Sequence, residues 1–327
     1  MILSLSTHAE TWPIAGGFAI SRGTRNVVHV VVAEISEGDH VGRGECVPYP
    51  RYGESVAGVV AAIEALAGDI AAGVERGKLQ YLLPAGAARN ALDCAFWDLE
   101  AKRTGRRAWE LAGLPAPKPT VTAYTISLGS PEAMAEAAGR AAHRPLLKVK
   151  LSGDGDEDRI AAVREAAPEA RLIVDANEAW SNDRLEPLMA ACAEAGVEMI
   201  EQPLPASADE ALSAIQRIVP VYADESVHDR SSLTHVASRY DGINIKLDKA
   251  GGLTEAMAMA AEAQTVGLPF MLGCMVATSL SMAPAMLLAD RAAYVDLDGA
   301  LLLARDRTPG LRYLDSLLHP PEPALWG

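Results

Sequence analysis

Cysteine is scarce in this 327-residue chain. Cys46, Cys94, Cys192 and Cys274 stand far apart, with no CxxC pair and no regular spacing, which excludes a disulfide framework and points to a reducing compartment. Long apolar runs are missing too. No stretch approaches the 18 residues of a membrane span, and the start, MILSLSTHAETWPI, has no basic segment leading into an apolar core. Neither spanning nor export is expected, and the protein is read as cytoplasmic. Positive charge is in short supply, with 29 Lys and Arg against 43 Asp and Glu and a net charge of -14. Without a basic stripe to offset that excess, nucleic acid and anionic membranes are poor partners. The phosphate loop GxxxxGK[ST] and the GxSxG elbow are absent, and the seven histidines show no metal-ligand spacing. His228 reads as a polar loop residue.

The chain does have apolar bulk, 50% of its residues, enough for one large domain or two ordinary ones. Two rhythms divide it. Up to about residue 117 the pattern is mixed: Val27 to Ile35 and Val41 to Cys46 flank the turn Ser36-Glu37-Gly38-Asp39 as a hairpin, and helical periodicity follows over Ser55 to Ala72 and Ala85 to Thr104. Residues 1–117 are therefore expected to form a small α+β domain. Beyond the proline-rich junction Pro115 to Pro119, short β-type runs alternate with alanine-rich helical stretches. The runs are Val121–Ser127, Leu146–Leu151, Arg171–Asp175, Val197–Glu201, Val221–Asp224, Gly242–Lys246, Pro269–Gly273 and Ala293–Leu297. Starts roughly 24 residues apart fit one strand-helix unit each, and eight of them predict a (β/α)8-type barrel over residues 118–305. The last run lacks a clear following helix, so the expected form is an α/β, (β/α)7β modified TIM barrel. The tail, about 306–327, is expected to return to the first domain.

Barrel strands normally point apolar side chains inward, so charge at their C-terminal ends stands out. The second run ends Lys148-Val149-Lys150, where period-two alternation puts both lysines on one side. Runs three, four and five end in Asp175, Glu201 and Asp224. Three neighbouring carboxylates repel one another unless a cation joins them, and an all-oxygen set suits Mg2+ better than zinc. Run six ends in Lys246, across the barrel axis from run two, and run eight carries Asp296 and Asp298 on one side. A single lysine at a strand end is usually solvated, and a single aspartate there is more often a helix cap than a ligand. Independent surface charges, however, have no reason to occupy consecutive strands in one phase.

The set Lys148-x-Lys150, Asp175, Glu201, Asp224 and Lys246 resembles the enolase superfamily, in its muconate-lactonizing subgroup, over almost the whole chain. The resemblance implies a capping domain, made from both ends of the chain, on a (β/α)7β barrel. Within the subgroup, Asp296-x-Asp298 together with PYPRYGES, INIKLDKAGG, MLGCM and DLDG looks like the dipeptide epimerases, whose aspartate pair holds the substrate ammonium. The implied substrate is a dipeptide of the L-Ala-D/L-Glu kind, from murein peptide metabolism. A cycloisomerase or succinylbenzoate synthase of the same subgroup has no such ammonium to bind, and a Schiff-base lyase using Lys150 or Lys246 needs no metal.

The implied reaction removes a proton beside an ionised carboxylate, through an enediolate that a metal at Asp175, Glu201 and Asp224 stabilises. Lys148 adds positive charge. Lys150 and Lys246 act from opposite faces, one removing the proton and the other returning it. Asp296 and Asp298 position the substrate. Arg22 and Arg25 are candidates to pair with an acidic substrate side chain, with Tyr49 and its loop on the same wall. Thr125 and Asn177 are expected to line the site, and the loop at Cys274 and Met275 to offer backbone contacts. A homo-oligomer is compatible with all of this.

Overall fold

The computed structural model describes residues 2–327. It begins with an antiparallel sheet of β1 (Ser4–Ile20), β2 (Gly23–Glu37) and β3 (His40–Cys46), with β2 in the centre. Alternation along β2 splits its side chains between two cores. Val31, Ala33 and Ile35 pack with Ile63, Leu92 and Leu99 from helices α1 (Val56–Glu64) and α2 (Ala87–Thr104). Val28, Val30 and Val32 face the other way and join the core of the barrel. One strand thus cements the small domain to the large one by a period of two.

The hairpin of β2 and β3 and the two helical stretches lie where the sequence places them. Strand β1 was not among the expectations, and the reason is physical. Its one strand partner is β2, apart from a single bridge of Ile14 with Leu303; it has Ile14 as its single buried residue and is broken by a register shift between Pro13 and Phe18. An edge strand with that exposure carries no clean alternation to read.

Eight parallel strands follow: β4 (Tyr124–Ile126), β5 (Leu146–Lys150), β6 (Arg171–Asp175), β7 (Val197–Glu201), β8 (Val221–Ala223), β9 (Gly242–Ile245), β10 (Phe270–Leu272) and β11 (Tyr294–Val295). They are hydrogen-bonded in sequence order, and the ring closes where Ala123 N donates to Val295 O at 2.8 Å. Leu146, Ile173, Met199, Tyr222 and Met271 meet inside as an apolar floor. Leu147, Val149, Leu172, Val174 and Ile200 point outward into the larger core beneath the helices. The helices between strands include α3 (Pro131–Arg140), α4 (Asp156–Ala166) and α5 (Asn182–Glu194). The architecture is a modified TIM barrel with a capping domain. No helix among the described residues is long and apolar enough to cross a membrane.

After β11 the chain runs back to α2, where Trp326 Nε1 donates to Cys94 O at 3.0 Å and Gly327 N donates to Asp98 at 2.8 Å. On the way, Arg307 reaches Glu45 of β3 at 2.6 Å and Glu10 of β1 at 2.6 Å. Glu45 is 1% exposed and also accepts from Thr278 N at 2.9 Å. A buried carboxylate left without its cation is costly, so Arg307→Met is expected to lower the unfolding free energy by about 3–5 kcal/mol in urea titration. Adding Glu45→Gln should recover much of that loss, whereas a single variant as stable as the parent would remove this junction from the account.

Candidate active site

The apolar floor sets the phase of everything above it. Lys148 and Lys150 follow Leu146 by two and four residues, and Asp175, Glu201 and Asp224 follow Ile173, Met199 and Tyr222 by two, so all five turn inward. Lys150, Asp175 and Glu201 are direct cross-strand partners across β5, β6 and β7. Asp175, Glu201 and Asp224 are at most 1% exposed. Lys246 lies one residue past β9, four strands from β5 in the ring of eight, hence on the far wall.

Burying so many charges is tolerable only because opposite signs interleave. Lys148 Nζ lies 2.6 Å from Glu201 Oε2, 2.7 Å from Asp296 Oδ2 and 3.3 Å from Asp175 Oδ2. Lys150 Nζ lies 2.6 Å from Asp175 Oδ2, and Lys246 Nζ 2.7 Å from Asp224 Oδ2. Burial pulls the Lys148 and Lys246 ammonium groups down, but the surrounding carboxylates outweigh it and hold both above the usual lysine range. Burial also opposes the charge on Asp175 and Asp224, yet the lysines beside them keep both below the usual carboxylate range. Glu201 goes the other way, raised by burial and by the negative charge of Asp175.

Among the described residues no three acidic, cysteine or histidine side chains converge at metal-ligating separation. The carboxylates are held instead by ammonium groups. The donor set nevertheless fits a hard divalent cation: three fully buried carboxylates end neighbouring strands, and Glu201 Oε2 has a close ammonium but no aligned hydrogen bond.

The other expected residues gather around one cavity. Its walls include Thr125, Lys148, Lys150, Asn177, Asp224, Lys246, Asp296 and Asp298 from the barrel, with Cys274 and Met275 beside them and Arg22, Arg25 and Tyr49 from the cap. Asp175 and Glu201 sit behind this lining. Asp298 accepts from Thr125 N at 2.6 Å, and burial followed by the charge of Asp296 pushes its carboxyl up to about 7. Asp296 Oδ1 is buried without a hydrogen-bond partner. Asn177, in the left-handed region at φ 46°, donates its N–H to Asp175 at 2.9 Å.

The two cap arginines separate here. Arg22 lies 2.8 Å from Glu225 Oε1, and it donates to Asn177 O at 3.0 Å and to Tyr49 OH at 3.2 Å. It fastens the β1–β2 tip to the barrel. Arg25 stacks over the Tyr49 ring at 5.1 Å and is exposed, and among the described residues no carboxylate lies within ion-pair distance of it. Arg51, from the Tyr49 loop, is held by Glu178 at 2.7 Å.

Several neighbours escaped the sequence reading. Asn244 donates to Glu201 at 2.6 Å, Lys249 donates to Asp224 and to Asn244 O, and Gln202 accepts from Asp224 N at 2.9 Å. The Asn244 position was readable, since it precedes Lys246 by two on the inward phase. Gln202 was not, because a φ of 36° turns the chain off the strand just there and breaks the alternation. Glu225 and Phe18, whose ring lies 5.8 Å from Lys150 Nζ, also line the site.

Residues 2–113 match the mandelate racemase/muconate lactonizing enzyme N-terminal domain, and residues 132–323 the enolase C-terminal domain-like family. Among curated relatives, the L-Ala-D/L-Glu epimerase of Escherichia coli K12 is 47% identical over 97% of this chain and 99% of its own. An N-acetyl-D-glutamate racemase of Pseudoalteromonas sp. is 44% identical over 91% of this chain and 95% of its own. Among solved structures, an enolase family member from Agrobacterium tumefaciens with homology to dipeptide epimerases, holding sodium and L-Ala-L-Glu, superposes with a TM-score of 0.98. That protein is 54% identical, and the match covers 99% of this chain and 100% of the other. A dipeptide epimerase from Enterococcus faecalis V583, complexed with Mg and L-Leu-L-Tyr, is 27% identical at a TM-score of 0.91, covering 98% of both chains. The resemblance read from the strand ends is therefore borne out, and the chain belongs to the mandelate racemase/muconate lactonizing group of the enolase superfamily.

Proposed function

We propose that this chain epimerises dipeptides of the L-Ala-D/L-Glu kind, by 1,1-proton transfer at the α-carbon next to the C-terminal carboxylate. The observation that carries this reading is one cavity flanked by Lys150 and Lys246 from walls four strands apart, with Asp296 and Asp298 also in its lining. Amines on opposite sides of one carbon can exchange its proton with inversion, whereas a cycloisomerase needs only one of them.

Asp175, Glu201 and Asp224 would hold Mg2+, which when bound supplies Lewis-acid stabilisation of the charge that develops on the substrate carboxylate. Lys148, held as an ammonium between Glu201 and Asp296, adds fixed positive charge beside that carboxylate. Lys150 takes the proton from one epimer while the Lys246 ammonium returns one on the far face, and the roles exchange in the reverse direction. Phe18 and Ile20 of the cap and Met275 of the barrel, in the same lining, keep water from the reacting carbon. Asp296 and Asp298 accept from the substrate ammonium, which sets the register of the second residue between the amines. Arg25, in the cavity lining at the cap, pairs with the glutamate side chain. Supporting the division into a cap of residues 1–117 with a tail of about 306–327 and a barrel of 118–305 are the N-terminal family match, which ends at residue 113, and the hydrogen bond from Trp326 to α2. A cytoplasmic location is supported by four unpaired cysteines.

The 44% identical relative that racemises N-acetyl-D-glutamate gives a second reading, in which the substrate has no free ammonium. Asp298→Asn separates the two. It is expected to lower kcat/KM for L-Ala-L-Glu by about 10–100-fold, the scale of a lost charge-assisted contact, and to leave N-acetylglutamate turnover unchanged. A wild-type enzyme faster on N-acetylglutamate than on any dipeptide would favour the second reading.

Proton NMR of L-Ala-L-Glu and L-Ala-D-Glu in deuterated water should show deuterium entering at the glutamate α-carbon from both. EDTA should abolish this exchange and Mg2+ restore it, while metal-independent turnover trapped by borohydride would point to a Schiff base. Arg25→Ala is expected to raise KM for L-Ala-L-Glu by about tenfold and leave kcat and apolar dipeptides unchanged. A side-chain-selective effect from Arg22→Ala in its place would move the recognition role to that residue.

A further inference from the structure

We propose that helix α2 of the capping domain is the positioning element for Lys246, so that the cap governs one of the two proton-transferring amines; this rests on the two-base reading above. Lys150 needs no such help. It is the last residue of β5, and its backbone is paired directly with Asp175 of β6. Lys246 lies beyond the last ladder pair of its strand, Ile245 with Leu272, and leads into a single turn of helix, α6 (Leu247–Ala250). One turn is too short to hold itself.

Lys249 within the turn is tied back to Asp224 and Asn244 O of the barrel, and the remaining support comes from α2. Asn90 Nδ2 donates to Asp248 Oδ1 at 2.9 Å, and Val47 N, just past β3, donates to the same oxygen at 3.0 Å. Arg89 donates to Ala250 O at 2.7 Å and Gly251 O at 3.1 Å, and so satisfies carbonyls left open at the end of α6. The next helix, α7 (Leu253–Thr265), has Gly252 at its N-cap, with no side chain to accept the first amides. Asp93 accepts Thr254 N at 2.9 Å in its place, so the cap supplies that helix with its N-cap from another domain. The approach is close enough to dictate sequence. A Cβ at Gly251 would lie 2.4 Å from Arg89 Nε and one at Gly252 2.5 Å from Asp93 Cβ, and both glycines have positive φ. Arg89, Asn90, Asp93 and Asp248 are each 6% exposed or less, so water does not compete for these contacts.

The test compares α-proton exchange from the two epimers in deuterated water for Lys246→Ala, Asn90→Ala and Arg89→Lys, with thermal unfolding followed in parallel. Lys246→Ala identifies the epimer that depends on that amine. Asn90→Ala and Arg89→Lys are expected to slow exchange from that same epimer by about tenfold, since a displaced amine loses near-attack geometry, and to leave the other epimer at the parental rate. Equal loss from both epimers, or no loss from either, in a folded Arg89→Lys protein overturns the positioning role while leaving the two-base reading intact. If Lys246→Ala itself silences both epimers equally, the two-base reading falls and this proposal with it.

Discussion

Ammonium and carboxylate groups interleaved above an apolar floor are what the rest of this structure serves. An isolated charge among Leu146, Ile173, Met199, Tyr222 and Met271 would cost several kcal/mol in lost hydration. Alternating signs make the arrangement stable: Asp175 lies between two lysines, Lys148 between Glu201 and Asp296, and Asp224 between Lys246 and Lys249. The eight-stranded ring supplies the geometry, because neighbouring strands offer neighbouring side chains at one height. The strand backbones place these groups before any substrate binds, which is the condition for electrostatic stabilisation of developing charge.

The cap does more than close the barrel. Strand β2 shares its side chains between two cores, Glu45 and Arg307 tie β3 to the tail, and α2 reaches across to the turn after Lys246. Arg22 binds the β1–β2 tip to Glu225 and Asn177, next to Asp224 and close to Asp175 in the chain. On the proposed reading, substrate side-chain recognition and proton transfer would meet at one seam between cap and barrel.

Much of this was legible in the chain itself, and for a definite reason. A polar residue at an inward strand position violates a strong apolar expectation, so Lys148, Lys150, Asp175, Glu201 and Asp224 announced themselves as a set. What could not be read is what depends on chain reversals and long-range approach. The exposure and register break of β1 hid it, and the left-handed backbone at Gln202 carried that side chain off the strand's phase. The two arginines of Ser21 to Arg25 look alike in sequence. Only the folded position of Glu225 shows that Arg22 is already paired, while Arg25 has no carboxylate within ion-pair distance among the described residues.

The most direct test of the central claim is a crystal structure of the enzyme with Mg2+ and L-Ala-L-Glu bound. Lys150 Nζ and Lys246 Nζ are expected on opposite faces of the glutamate α-carbon, each at roughly 3–3.5 Å, with the metal on Asp175, Glu201 and Asp224. Both amines on one face of that carbon, or the metal seated away from those carboxylates, would contradict that claim.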